Sequence, residues 1–479
     1  MRYQPARGGI LSRIVLVGPI LAIGAVFGPY VLPQFGLRLE QLVIYPLALL
    51  VCLARPRVIT HPKRVPMKIC AVWLFILGMS IATSLTIGRA YTDFSIIAAG
   101  IDDYLLPVAA IGICVASVRE AQKRDGETER MVMTTFWATD VLLCLNSLVG
   151  CLQLEWPLTP YLQVFWTSQE MGPTVRASDS ALSVAELSLT NGRVTGIFNQ
   201  PMESGLVYSV GVFAWFYCVV RKKSLNLIDI VLLSLLVVGG LLSASKLFLL
   251  VGLPAFALLV LHRWMIGATK LDARRIIAFG IAIVIIGGSL MAVYLVRSNE
   301  IWSGGQYLID ALAGSDVIAS ISGGRFSSNG ESLMGTLVDR ISNVSPIAGV
   351  GFGFLPAVDS AYIYAYMTAG VFGVGAIALL ILMLVLPAFR RGGGAEKVRD
   401  IRGIYVALVL FCALSGLGAP VFTLNRASTV LWVALTLLLC QMTDSMAKAP
   451  PTASGTGVVT WPADTGFRGQ TTPGWNHTS

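Results

Sequence analysis

Residues 361–387, AYIYAYMTAGVFGVGAIALLILMLVLP, form an apolar run without a single charged side chain. About 20 apolar residues suffice for an α-helix to cross the roughly 30 Å hydrocarbon core of a bilayer. Similar blocks recur along the chain, which is 55% hydrophobic and only 13% charged, with a mean hydropathy of +0.74. A soluble domain carries about 25% charged residues. The sequence therefore predicts an all-α, polytopic membrane protein.

Apolar blocks on both sides of this run predict about twelve transmembrane helices in total. They lie at about 14–33, 39–54, 69–88, 101–118, 131–152, 203–220, 227–243, 247–261, 276–296, 361–387, 403–421 and 427–444. The helix pairs around the short connections 34–38 and 244–246 are the least clearly separated. A large connection, 297–360, separates the ninth span from the tenth.

The loops between these spans alternate in charge. Most of the 35 basic residues fall on one side of the predicted bundle, in the N-terminus, 55–68, 119–130, 221–223, 262–275 and 390–402. Basic loops remain in the cytoplasm, so both termini are predicted to be cytoplasmic. The net charge of +9 is thus a signal of topology, and nucleic acid is not expected as a partner.

The domain organisation follows from this topology. Residues 1–446 form the predicted transmembrane domain, and 447–479 are rich in Pro, Gly and Thr, a composition that predicts a disordered cytoplasmic tail. Two long connections, 153–202 and 297–360, fall on the non-cytoplasmic side. Loops of this length are uncommon unless they are functional or disordered. We therefore expect a site at the outer face of the membrane.

Three glycines at alternate positions, Gly349, Gly351 and Gly353, precede the tenth span in the stretch SPIAGVGFG. A nucleotide-binding glycine loop follows a strand, opens a helix and faces the cytoplasm. This stretch follows NVSP and lies on the outer side, so nucleotide binding is not predicted. Glycine lets the backbone turn tightly and approach a ligand or a neighbouring helix closely, and we predict a structural turn here.

Three arginines stand near the entrances of spans on the outer side: Arg193, Arg325 and Arg340. The planar guanidinium remains charged and binds phosphate oxygens through two parallel hydrogen bonds. Such side chains are candidates for holding a diphosphate group. The alternative, equally weighted for any single arginine, is a pair with a loop acid or a lipid headgroup.

Two carboxylates open spans: Glu203 the sixth and Asp359 the tenth. An ionisable group at a membrane entrance is a functional candidate, so either could be a general base or could orient an arginine. Stabilisation of a helix N-terminus is the competing interpretation. Lys246 begins the eighth span and is better explained by a helix start or a lipid contact. Asp102 and Asp103 in the fourth span are weaker candidates.

The histidines and cysteines carry no predicted chemistry. All three histidines, His61, His262 and His477, map to the cytoplasmic side, so none is expected as a base or metal ligand outside. The eight cysteines show no CxxC or other ligand spacing. No metal or cofactor is predicted.

Several stretches together resemble the O-antigen ligase and polymerase superfamily of bacterial envelopes. RVTGIFNQPMESG at 193–205 is similar to the family's Arg–Gly–(Thr/Ile)–Phe–Asn–(Pro/Gln)–Pro region, and SASKLF at 243–248 to its Ser–x–Ser–(Arg/Lys). SPIAGVGFG followed by DSAYIYAYMTAGVFGV resembles the C-terminal signature. Arg340 and Gly351 reproduce an Arg-x10-Gly spacing typical of the polymerases, whereas Arg193 and Gly205 miss it by one residue.

The resemblance implies an enzyme of the bacterial inner membrane that joins undecaprenyl-diphosphate-linked oligosaccharides at the periplasmic face. In that scheme Arg193, Arg325, Arg340 and Lys246 bind diphosphate, Arg340 also acts in catalysis, and Glu203 or Asp359 is the base. A chain-length regulator and a flippase are implied as partners, beside membrane lipid.

Ligases of the family carry a histidine at the start of the tenth span, where this chain has Asp359 and Ser360. The difference favours an exopolysaccharide or O-antigen polymerase over a ligase. A lipid-linked oligosaccharide flippase is the alternative from another class, because flippases also have about twelve spans. A flippase is expected to show internal repeats, charges within the membrane and short loops.

Overall fold

The computed structural model describes residues 9–32, 36–54, 65–166, 184–190, 192–222, 225–265, 333–354, 358–389 and 396–448. Within these ranges the chain is predominantly helical. Its helices are α1 (Ile10–Val26), α2 (Leu39–Ala54), α3 (Val65–Leu85), α4 (Phe94–Ala121), α5 (Glu127–Glu155), α6 (Thr159–Leu162), α7 (Val184–Thr190), α8 (Pro201–Lys222), α9 (Leu227–Leu242), α10 (Leu253–Met265), α11 (Leu333–Val344), α12 (Ala361–Phe389), α13 (Glu396–Ser415) and α14 (Asn425–Lys448).

Six of these helices are long and apolar enough to cross a membrane, and four shorter helical segments are also apolar. The six are α3, α4, α5, α8, α12 and α14. This confirms the prediction of a helical, multi-pass membrane protein. The predicted ninth span, 276–296, and most of the connection 297–360 lie outside the described residues, as does the tail beyond residue 448.

The first span is shorter than the sequence suggested. Helix α1 ends at Val26, and the chain then forms a small antiparallel pair, β1 (Tyr30–Leu32) with β2 (Leu37–Arg38). The residue before a proline avoids the helical conformation, and the sequence here is Gly28-Pro29. The Pro29 carbonyl accepts a hydrogen bond from the Leu39 amide at 3.1 Å, which closes the hairpin onto α2.

Two helices, α8 and α14, form the centre of the bundle. In α8, 94% of the most apolar 18-residue window is buried, and in α14 the share is 78%. The corresponding share is 39% in both α4 and α12. Helix α14 packs against α4, α8 and α13, while α8 also packs against α5 and α9. The Tyr217 hydroxyl of α8 donates to Gln441 Oε1 of α14 at 2.7 Å. The surrounding helices therefore shield these two from lipid.

Ion pairs between helices mark one end of the bundle, which we call the basic end. Arg221 of α8 pairs with Glu129 of α5, and Arg263 of α10 pairs with Asp400 of α13. We call the opposite end the loop end. It comprises the connections 27–32 with 36–38, 86–93, 156–166, 192–200, 243–246, 345–354 with 358–360, and 416–424.

Candidate functional site

Helix α12 is broken near the loop end. Ala369 (φ −142°, ψ 16°) and Gly370 (φ 61°, ψ −148°) leave the helical conformation. The backbone of Gly370 occupies a region that is essentially restricted to glycine. A Cβ added at Gly370 would also collide with the Ile347 carbonyl. The break therefore depends on glycine at this position.

The preceding loop supplies hydrogen-bond partners for the broken turn. The Val350 amide donates to the Met367 carbonyl at 2.7 Å, and the Val371 amide donates to the Pro346 carbonyl at 3.1 Å. The Thr368 carbonyl accepts a hydrogen bond from the Thr83 hydroxyl of α3 at 2.8 Å. Irregular backbone is tolerated at membrane depth where protein groups satisfy it. Loop, α3 and α12 thus form one hydrogen-bonded unit.

The three glycines of the loop all have positive φ: 78° at Gly349, 98° at Gly351 and 81° at Gly353. A Cβ on Gly349 would lie 2.6 Å from the Gly370 amide nitrogen, and one on Gly351 would lie 2.6 Å from the Ser84 nitrogen. The loop is consequently pressed against α12 on one side and α3 on the other.

Arg340 and Asp359 flank this loop. Arg340 is exposed on α11, whereas the next residue, Ile341, is buried against α12 and the loop. Asp359 is half-buried and directly precedes Ser360. The Ser360 hydroxyl donates to the Gly416 carbonyl at 3.2 Å, which joins the start of α12 to the α13–α14 connection.

Arg193, Glu203 and Lys246 belong to a second group around the start of α8. The amide after Arg193 donates to the Leu242 carbonyl at 2.9 Å, which places the Arg193 segment beside the α9 terminus that leads to Lys246. Glu203 is 1% exposed, and its Oε2 accepts from the Asn199 amide at 3.0 Å. This contact is the helix-terminus role named as the alternative for Glu203. Arg325 lies outside the described residues.

Asp102 and Asp103 participate in interhelical contacts. Asp102 forms an ion pair with Arg38 at 2.7 Å and accepts from Gln41 at 2.7 Å and Tyr45 at 2.5 Å. Asp103 accepts from the Tyr364 hydroxyl of α12 at 3.2 Å. These acids connect α2, α4 and α12.

Sequence reasoning missed two buried arginines at the loop end, Arg38 and Arg426. Arg38 is 5% exposed and Arg426 1% exposed. Arg38 lies in β2 just before α2, and Arg426 lies in the first turn of α14. The sequence placed both residues in short connections between predicted spans. A long charged residue in a very short connection between apolar blocks is the signal that would have pointed to them, because such a connection has little room outside the bundle.

The loop end can thus present several cations to an anionic group. Arg340 is exposed, and Arg193 and Lys246 are half-buried. Guanidinium groups suit phosphate oxygens. Among the residues that the structure describes, no group of three or more His, Cys, Asp or Glu could hold a metal ion.

Neither a scan against protein-family models nor a search of curated proteins finds a match for this chain.

Proposed function

We propose that the chain is a bacterial inner-membrane polysaccharide polymerase. It joins oligosaccharide repeat units carried on undecaprenyl diphosphate, at the periplasmic face. The observation that carries the proposal is the folding of SPIAGVGFG onto a broken α12, flanked by Arg340 and Asp359. The RVTG segment with Arg193 and the turn with Lys246 lie at the same end of the bundle.

The proposed reaction is a glycosyl transfer. A sugar hydroxyl of the incoming repeat attacks the anomeric carbon of the growing chain. The bond from that carbon to the diphosphate oxygen breaks, and its electron pair leaves with undecaprenyl diphosphate. The hydroxyl proton passes to a carboxylate. Preorganised cations stabilise the charge on the leaving diphosphate, and Arg193, Arg340 and Lys246, with Arg325, are assigned this role.

Asp359 is the preferred base, because its side chain is more exposed than that of Glu203. The Glu203 side chain is 1% exposed and accepts the Asn199 amide. Asp359 is half-buried and follows the glycine loop, and in the proposed reaction it accepts the proton of the sugar hydroxyl. A general base must come within hydrogen-bond reach of the proton that it removes.

The proposed topology has twelve spans, cytoplasmic termini and a periplasmic loop end, with 297–360 as a large periplasmic loop. Support comes from the distribution of basic residues, most of which fall at the basic end or in connections predicted beside it. The proposed partners are lipid-linked oligosaccharide, membrane lipid, a chain-length regulator and a flippase.

A deletion strain tests the function. We expect single repeat units to accumulate on lipid facing the periplasm, with long polymer restored by the native gene. Purified protein should also extend lipid-linked repeats in the presence of EDTA, because no metal is assigned to the site. Polymer that is made but not attached to its acceptor would instead indicate a ligase.

A lipid-linked oligosaccharide flippase is the second candidate, and two observations favour it. Asp140 lies within α5, is 1% exposed, and its Oδ1 has no hydrogen-bond partner among the described residues. Ionisable groups inside a membrane mark transport pathways, and broken helices such as α12 occur at transporter binding sites. Repeat units trapped on the cytoplasmic side of the deletion strain would establish this alternative.

A further inference from the structure

Three arginines in the described part of the chain are more than nine-tenths buried: Arg38, Arg263 and Arg426. The first two face carboxylates. Arg38 pairs with Glu40 and Asp102, and Arg263 pairs with a carboxylate of α13. Arg426 forms no ion pair with any carboxylate of the described residues. It is therefore the exception among the buried arginines that the structure describes.

The contacts of Arg426 leave part of its guanidinium unused. Nη2 donates to the Phe165 carbonyl at 3.0 Å, and the guanidinium carbon lies 4.9 Å from the centre of the Tyr30 ring. Nη1 is buried and has no hydrogen-bond partner among the described residues. Arginine cannot lose its proton in a protein. A full positive charge thus stands in a buried position with a neutral acceptor and an aromatic face.

A second unused donor lies on the same helix. Thr429 is fully buried, and its hydroxyl has no hydrogen-bond partner in the part of the chain that the structure describes. Residues three apart on a helix are neighbours on one face. Arg426 and Thr429 therefore form a pair of buried donors in the first turns of α14, at its electropositive N-terminus.

We propose that Arg426 and Thr429 bind a phosphoryl oxyanion, the Arg426–Thr429 site. Burying an uncompensated charge is costly, and an anion that accepts from both donors would offset that cost. The Phe165 carbonyl is a neutral acceptor. A phosphoryl oxygen competes with it because charge-assisted hydrogen bonds are about twice as strong as neutral ones.

The position of the site connects the two groups of candidate residues. Phe165 is followed by Trp166, whose indole donates to the Gly196 carbonyl in the RVTG segment at 3.2 Å. The connection just before α14 accepts the Ser360 hydroxyl and the Ala361 amide through the Gly416 carbonyl. The identity of the anion as the diphosphate of a lipid-linked sugar rests on the proposed function.

A thermal-shift titration of the purified full-length protein tests the site. The probes are undecaprenyl diphosphate, undecaprenol as its uncharged counterpart, and inorganic diphosphate. We expect undecaprenyl diphosphate, and not undecaprenol, to raise the Tm of the native protein. A rise with inorganic diphosphate that requires Arg426 also supports the site and identifies the free anion as a sufficient ligand.

Two variants separate binding from packing. Arg426→Met should weaken apparent affinity at least about tenfold, while the unliganded Tm remains equal or rises, because a buried uncompensated charge has been removed. Thr429→Val, which keeps the shape of the side chain, should weaken affinity by about twofold to tenfold. If Arg426→Met does not fold, Thr429→Val decides.

Arg263→Met is the matched control. It removes a buried arginine that has a carboxylate partner, so it should lower the Tm and leave the diphosphate response intact. If the Tm of both site variants responds to diphosphate as the Tm of the native protein does, the proposal is overturned. A lowered Tm in Arg426→Met with an unchanged diphosphate response also overturns it, and so does a lost response in Arg263→Met.

A parallel polymerisation assay keeps the two proposals distinct. If native protein binds the diphosphate through Arg426 but extends no glycan, the proposed function fails and the oxyanion site stands. If the native protein polymerises while Arg426→Met binds diphosphate like the native protein, the site fails and the proposed function stands.

Discussion

At the scale of single residues, the conformation of the loop end depends on glycines as much as its chemistry depends on charged side chains. Gly370 carries the break in α12, and Gly349 lies against it. From the sequence, the alternate glycines predicted the turn before the tenth span. They did not predict the break at Gly370 inside that span. A glycine within an apolar run resembles ordinary helix packing until its φ is known.

Gly370→Ala should destabilise the protein by about 2 kcal/mol or more, because its backbone region is costly for any residue with a Cβ and the new methyl group would meet the Ile347 carbonyl. Gly375→Ala is the matched control, since a Cβ there meets nothing within 4 Å. That variant should be neutral or stabilising by up to about 1 kcal/mol. Thermal unfolding of both variants in detergent compares them directly, and equal Tm values would refute the strain at Gly370.

Arg340→Ala should abolish long polymer without changing thermal stability, because the side chain is exposed on α11. Asp339→Ala is the control, as Asp339 is the exposed neighbour on the same helix. Polymer length in a complemented deletion strain gives the readout, beside the amount of protein in the membrane. Normal chain length in Arg340→Ala would remove this residue from the site.

The existence of the apolar helices was more predictable than their exact ends and internal breaks. The predicted second span, 39–54, coincides with α2, and the predicted sixth, 203–220, lies within α8. The first span was misjudged because Tyr30–Leu32 is as apolar as a helix. Apolar runs of three or four residues do not distinguish a strand from a continued helix. The break in α12 was missed because a glycine inside an apolar run gives no sign of its φ.

Separate substitutions of Glu203 and Asp359 test which of these carboxylates is the base. Glu203→Gln should cost about 1 kcal/mol through loss of a negative charge at the α8 N-terminus and should retain polymerisation. Asp359→Asn should abolish polymerisation with little loss of stability. Activity assays and thermal unfolding on the same preparations separate the roles, and the reverse pattern would make Glu203 the base.

For the whole molecule, the sequence predicted a helical membrane protein because composition and block length are averages over many residues. Contacts between distant helices, such as those of Arg426 with Phe165 and Tyr30, depend on the packing of the complete bundle. Composition and spacing carry no record of such contacts. A charged residue in a very short connection could have indicated that Arg426 is buried, but its partners were accessible only from the structure.

The orientation of the bundle can be measured with single cysteines. In a Cys52→Ser background, which removes an exposed thiol, Ile347→Cys should react with an impermeant maleimide in intact spheroplasts. Its side chain is 63% exposed at the loop end. Lys123→Cys, at a side chain 54% exposed near the basic end, should react only after permeabilisation. Labelling in the opposite order would invert the proposed topology.

The central position of α14 has a consequence for biosynthesis. Helix α8 leaves the ribosome well before α14, yet its Tyr217 hydroxyl bonds to Gln441 of that later helix. During translation, the faces of α4 and α8 that α14 covers must meet lipid or a chaperone. A nascent chain interrupted before residue 425 would therefore lack part of its interior, and proteases of the membrane could recognise it as incomplete.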